Sequence, residues 1–370
     1  MLSMQSFGLW YKKRTYKDGE EIIETGEVDF SLHINFWFLE DIRGIKTKIK
    51  YPYIDIGVKI KNYKGIEGIT FYCPFEISEN NIVDLSQKMS TKSNATMVFN
   101  DECEIKTINS YTCVTFSDDS KSLLFLMDEM IEDTYRIESM NGNSRIIFDF
   151  SNFHKYVEKD SMLNEINDLY IRFRIKDIDL KDKIYFDSEP LNKSFESAFS
   201  GTRVLDFKIN EKRNIDEKLQ AKMVVGEQQW AEFSKVHFLV MEPSSYDLTS
   251  FSNYDMSCRE LEENMWDDYL DAEIDFSKGH VLAYHWKGCQ QKEIGKKLKD
   301  FSCFAKINYS KMQYPSIFSF VIMAIALGIL GDAGSSGLSD LAEVLVQGEW
   351  VIQLVGGFII FFLGWFLGKK

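Results

Sequence analysis

Three donor side chains lie close together late in the chain: His280, His285 and Cys289. Two imidazoles and a thiol can ligate a metal, but a five-residue interval on an extended strand turns the two histidines to opposite faces. Core or surface histidines are the better reading. A second concentration is the acidic run Glu260, Glu262, Glu263, Asp267, Asp268, Asp271, Glu273 and Asp275. Carboxylates at that density serve a hard cation or acid and base work when a histidine, a glycine turn or a second cluster accompanies them at a defined interval. None does, so a solvated helix face is expected. G-x-S-x-G, G-x-x-x-x-G-K-[ST], H-E-x-x-H and G-x-G-x-x-G are all absent. No catalytic residue, metal or cofactor is therefore assigned, and an enzyme is not expected.

Charge and cysteine usage narrow the setting. The net charge is -14, and no run of consecutive Lys or Arg before residue 310 forms a phosphate-binding stripe, which argues against nucleic acid as a partner. The six cysteines, Cys73, Cys103, Cys113, Cys258, Cys289 and Cys303, form no CxxC pair and have no histidine at zinc-finger spacing. They read as reduced thiols. The first 21 residues lack an apolar h-region after a basic start, so the expectation is a cytosolic domain.

Chemistry gives way to the bilayer after residue 310. The runs 316–331, SIFSFVIMAIALGILG, and 350–367, WVIQLVGGFIIFFLGWFL, contain no charged residue. Each approaches the roughly 20 apolar residues that a spanning helix needs, and together they predict a two-helix transmembrane hairpin over 314–368. Lys296, Lys297, Lys299, Lys306 and Lys311 precede the first run, and Lys369 and Lys370 follow the second. The link 332–349 carries Asp332, Asp340, Glu343 and Glu349 without Lys or Arg. The positive-inside rule then makes the protein a multi-pass protein of the cell inner membrane, N-in and C-in. Tyr314, Trp350 and Trp365 stand where interfacial rings are common.

Phe320 lies in the first run, and Ala324 and Gly328 sit four apart within it. In the second run Gly356, Gly357 and Gly364 are small residues that admit close helix approach, Gln353 is a polar side chain able to bond across helices, and Ile360 lies near the middle. These predict a homo-oligomer in the lipid bilayer. No Asp, Glu, Lys, Arg or His lies within either run, which disfavours a transporter or proton relay. Two spans cannot enclose a pathway, so a pore or lipid disruption requires several copies.

The elements before residue 310 are read from alternation. Ile54, Ile56, Val58 and Ile60 interleave with Asp55, Gly57, Lys59 and Lys61, a half-buried strand that turns at 62–65 and resumes at Ile69, Phe71 and Cys73 as a hairpin. Further strands are expected at 96–99, 111–116, 123–126, 145–150, 171–175, 204–209, 236–241 and 281–286, and helices at 259–270 and 290–301. The polar run 151–161 suggests a boundary. The expected fold is mainly β, a cytosolic sandwich-like region with a few helices arranged as 1–155 and 156–310, followed by the helical membrane hairpin.

A cytosolic β-rich module joined to a two-helix hairpin over 316–367 resembles, in architecture, the membrane effectors of bacterial anti-phage defence systems. The resemblance implies a sensor that answers a cytosolic protein partner or a nucleotide trigger by perturbing the inner membrane, as in abortive infection. The competing expectation is a membrane-tethered binding module or scaffold without pore activity.

Overall fold

The computed structural model describes residues 5–14, 26–41, 49–109, 111–127, 134–188, 200–263, 265–272, 274–275, 279–289 and 296–310, together with 318, 321–322 and 324–328. The fold is mainly β. Among the described residues the strands form three sheets. The first has the order β14 (Gln228–Trp230), β1 (Gly8–Lys13), β4 (Ile66–Cys73), β10 (Asn143–Asp149) and β9 (Tyr135–Met140). The ten-stranded sheet runs β17 (Asp255–Glu260), β18 (Val281–Gly288), β15 (Phe233–Pro243), β2 (Asp29–Trp37), β3 (Tyr53–Lys61), β11 (Asp168–Ile175), β8 (Lys121–Leu124), β7 (Tyr111–Thr115) and β6 (Glu104–Ile108), with β5 (Ile82–Asp84) also on β11. The third has β12 (Tyr185–Ser188), β13 (Ser200–Ile209), β19 (Phe301–Ser310) and β16 (Asp247–Ser250) in that order.

The chain divides into two compact units, residues 1–186, 205–244 and 249–305 in the first, and residues 187–204, 245–248 and 306–370 in the second. The first unit holds the five- and ten-stranded sheets. Its core forms because Ile54, Ile56, Val58 and Ile60 on β3, with Ile171 and Phe173 on β11, all point to one face and are fully buried. That face meets the five-stranded sheet through Phe173, whose ring lies 5.6 Å from Phe71 and 5.7 Å from Phe148. In the second unit Tyr246 stacks on Tyr309 at 5.0 Å, and Arg203 reaches Asp187 at 3.3 Å.

Several elements differ from the sequence expectation. The strands expected at 54–60 and 69–73 exist, but they do not form a hairpin: β3 pairs with β2 and β11, whereas β4 pairs with β1 and β10. Residues 62–65 carry the chain from one sheet to the other, and a two-residue hairpin turn is instead Asn141–Gly142 between β9 and β10, both with positive φ (54° and 80°). An Asn-Gly pair between extended runs is a local signal for such a turn. The strand expected at 96–99 is the end of helix α1 (Lys92–Phe99), started by Thr91, whose hydroxyl accepts from Asn94 N, and stopped by left-handed Asn100. Capping outweighs a short apolar run there.

The polar run 151–161 contains α2 (Ser151–Val157) and α3 (Ser161–Asn164), and strands from either side of it share sheets, as β10 with β4 and β11 with β3. The helix expected over 259–270 is replaced by the end of β17 and, after α4 (Glu217–Val225), the short α5 (Asp267–Leu270), which left-handed Asp271 terminates. Of the helix expected at 290–301, residues 290–295 lie outside the described ones. Residues 296–300 are not helical, because Leu298 bridges Phe233 and Phe301 opens β19.

Residues 318, 321–322 and 324–328 are helical, inside the first expected span. Among the described residues no helix is long and apolar enough to cross a membrane.

Candidate functional site

The second face of the ten-stranded sheet carries the chemistry. Alternation that sends the isoleucines of β3 into the sandwich sends Asp55 the other way, and the register sets Asp55 beside Asn35 on β2 and Arg174 on β11. Sequence alternation alone suggests a solvated Asp55. Instead Asp55 is completely buried, because Trp37 and the segment carrying Tyr269 cover it. Its carboxylate accepts from Arg174 Nε (2.7 Å) and Nη2 (3.1 Å), from Trp37 Nε1 (3.0 Å) and from the Tyr269 hydroxyl (2.8 Å). Burial by itself would raise its pKa, yet the Arg174 charge and hydrogen bonds, with Arg172 and Tyr269, hold it below the usual carboxylate value.

Arg172 is buried beside this pair with its nearest carboxylate oxygen 4.0 Å away. Neutral oxygens complete its shell: Nε donates to the Tyr269 hydroxyl at 2.7 Å and Nη1 to the Tyr170 hydroxyl at 2.9 Å. Two guanidiniums thus share one carboxylate, a buried excess of one positive charge that only well-aimed acceptors can sustain. Gly57 makes the room, since a Cβ there would collide with the Tyr170 hydroxyl and approach Arg172 Nη1 to 2.9 Å.

Next to the guanidiniums lies a row of histidines on three neighbouring strands: His33 on β2, His237 directly opposite on β15, and His285 on β18. The His33 ring stands 5.1 Å from His237, and His237 Nδ1 lies 3.0 Å from His285 Nε2. His33 Nδ1 is 3.2 Å from the Tyr170 hydroxyl, joining the row to Arg172. Burial first lowers all three, then neighbouring histidines and cations for His33 and His237 and cations alone for His285: His33 falls well below its ordinary value, His237 to about 4 and His285 in the same direction. At neutral pH the row is uncharged. Among the described residues no group of three or more His, Cys, Asp or Glu has a geometry that could hold a metal ion.

The first unit also has a cleft of about 520 Å³, within the usual size for small-molecule sites, lined by Tyr11, Phe30 and Trp230 with Lys13, Arg14 and Lys297 among its rim groups. Lys297 donates to Glu27 (2.9 Å) and lies 3.5 Å from Asp29, Arg14 pairs with Glu158, and the Tyr11 hydroxyl donates to Gln229 at 3.0 Å. Aromatic walls with paired charges suit binding; no nucleophile with an adjacent base stands among its lining residues.

The residues singled out from sequence fall elsewhere. His280 precedes β18 and contacts Glu260, whereas His285 lies within β18 and joins His237. The acidic run splits. Asp268 and Asp271 are exposed and face Lys88, Glu262 pairs with Arg259, and between them Trp266, Tyr269 and Leu270 are buried. All six cysteines are free thiols, and burial pushes that of Cys303 up to about 12. Lys306 is exposed on β19, and Ala324 and Gly328 are exposed helical residues. Phe320, Gln353, Gly356, Gly357, Ile360, Gly364, Lys311, Lys369 and Lys370 lie outside the described residues.

Sequence reading overlooked Asp55, Arg172, Arg174, His33 and His237. The available signal was charge at alternate positions of otherwise apolar strands, Asp55 in YIDIGVKIK and Arg172 with Arg174 in YIRFRI. No protein-family model matches the chain, and no curated protein matches it.

Proposed function

We propose that this protein is a membrane-anchored effector whose β-rich part binds a cytosolic trigger and whose hairpin, residues 314–368, assembles to perturb the inner membrane, in the manner of bacterial anti-phage effectors. The observation that carries this reading is the pair of uncharged apolar runs, 316–331 and 350–367, separated by a link with four carboxylates and flanked by lysines. It is supported by the helical residues of the first run, where Phe318, Val321, Ile325 and Leu327 all turn outward, Phe318 with 62% of its surface exposed. Large apolar side chains facing away from protein suit lipid. The aromatic cleft offers the β-rich part a place to receive its trigger.

Induced expression in bacteria, with membrane potential and growth as readouts, tests the proposal. The wild-type chain depolarises cells under its trigger. Ile360→Lys, which costs roughly 3 kcal/mol of insertion energy at a helix centre, and Gly357→Leu, which blocks close packing, both abolish the effect. A wild-type chain that stays in the membrane pellet after carbonate washing yet never alters potential or growth, phage infection included, overturns the effector and leaves a tethered binding module.

A further inference from the structure

Strand β17 is the outermost strand of the ten-stranded sheet and, among the described residues, pairs only with β18. Its register is unbroken from Asp255↔Lys287 to Glu260↔Leu282. All six of its residues are exposed, including Met256 at 40% and the thiol-bearing Cys258. A regular edge of this kind presents backbone donors and acceptors to any strand that approaches, and proteins that keep an edge single commonly interrupt it with proline or a bulge or line it with charges, which then admit only a strand of complementary charge pattern. β17 has neither proline nor bulge.

Its side chains say which strand fits. Asp255, Ser257 and Arg259 share one face, and Met256, Cys258 and Glu260 the other. We propose that β17 pairs antiparallel with β17 of a second copy of this chain, about a two-fold axis passing through Ser257. In that register Asp255 of each copy lies opposite Arg259 of the other, Ser257 meets its own counterpart, and Met256 lies opposite Cys258. The neighbouring registers do worse. An axis at Met256 sets Asp255 opposite Ser257 and Arg259 opposite Asn253, and an axis at Cys258 sets Arg259 opposite Ser257 and Asp255 opposite Leu261, so neither gives Asp255 or Arg259 a countercharge. Arg259 already donates to Glu262 at 2.7 Å, but a guanidinium has five N–H donors and can serve both carboxylates. The contact is isologous, so it closes as a dimer and does not propagate. It rests on no step of the membrane reading, since it uses only the first unit.

Cross-linking of the full-length chain in mild detergent tests the register. Directly opposite strand residues have the Cα separation a disulfide requires, whereas diagonal ones do not. Ser257→Cys in a Cys258→Ser background therefore gives a disulfide-linked dimer on mild oxidation, while native Cys258, diagonal to its own counterpart, links about tenfold more slowly or not at all. Adding Asp255→Arg to the Ser257→Cys chain suppresses the dimer, and adding Arg259→Asp to that chain restores it. The proposal is overturned if the Ser257→Cys chain does not link, if native Cys258 links as fast, or if the charge exchange fails to rescue. Because membrane potential is not read, a negative result here leaves the effector reading standing, and a silent effector leaves this dimer standing.

Discussion

The polar face of the ten-stranded sheet solves the problem of buried charge in two ways a few ångströms apart. Around Asp55 the charges stay on: two arginines cannot lose their protons, so a carboxylate and two tyrosine hydroxyls are arranged around them, and a tryptophan N–H donates to the carboxylate. Along His33, His237 and His285 the charge is given up. Their neighbours are one another and the cations Arg172, Lys59, Lys235, Lys287 and Arg259, and each imidazole can shed its proton. What decides between the two outcomes is whether an opposite charge stands beside the group and whether the group can become neutral, and not how deeply it is buried.

The comparison breaks most severely at Asp55. Asp55→Ala strands two buried guanidiniums and should cost about 3 to 5 kcal/mol in urea unfolding followed by tryptophan fluorescence. A loss below about 1 kcal/mol would mean that the tyrosine oxygens alone sustain both arginines. Next in size are Gly57→Ala and Tyr269→Phe. The first drives a methyl group into the Tyr170 hydroxyl and Arg172, and the second removes one oxygen that serves both Asp55 and Arg172. Each should cost about 1 to 3 kcal/mol.

The histidine row sharpens the comparison through pH. Its imidazoles are depressed in the folded chain, His237 to about 4, so between pH 6.5 and 4 the unfolded chain binds more protons. Their contribution is fully present above about pH 6.5 and is lost as pH falls toward 4, with a slope of up to about 1.4 kcal/mol per pH unit per histidine. Asp55, whose carboxyl is depressed, contributes above the ordinary carboxylate value, and that contribution is lost only at still lower pH. Replacing His237 and His285 with Asn should flatten the slope between pH 6.5 and 4, leaving the part due to His33 and to buried His154, whose imidazole burial also depresses, and the acid limb near and below pH 4. An unchanged slope would place the titration elsewhere. The smallest effect belongs to the exposed His280 and Glu260 pair. Glu260→Gln should change stability by less than ~0.5 kcal/mol in the same urea unfolding.

Much of the β-rich fold was legible in the sequence because alternation is local. β3, β7, β10, β11, β13, β15 and β18 lie where apolar residues recur at every second position, and each of these residues finds its face without help from distant chain. The two uncharged runs after residue 315 are equally a property of the sequence itself. Pairing was not legible. Nothing in the runs around residues 56 and 70 says that one joins β2 and β11 while the other joins β1 and β10, since that choice is made by strands far away in the chain. The same holds for the site. Asp55, Arg172, His33, His237 and Tyr269 stand on five different elements, and an Asp between two isoleucines reads as a solvent-facing residue until Trp37 and Tyr269 are seen to cover it. Periodicity tells which way a side chain points; only the tertiary structure decides whether water or another side chain is there to meet it.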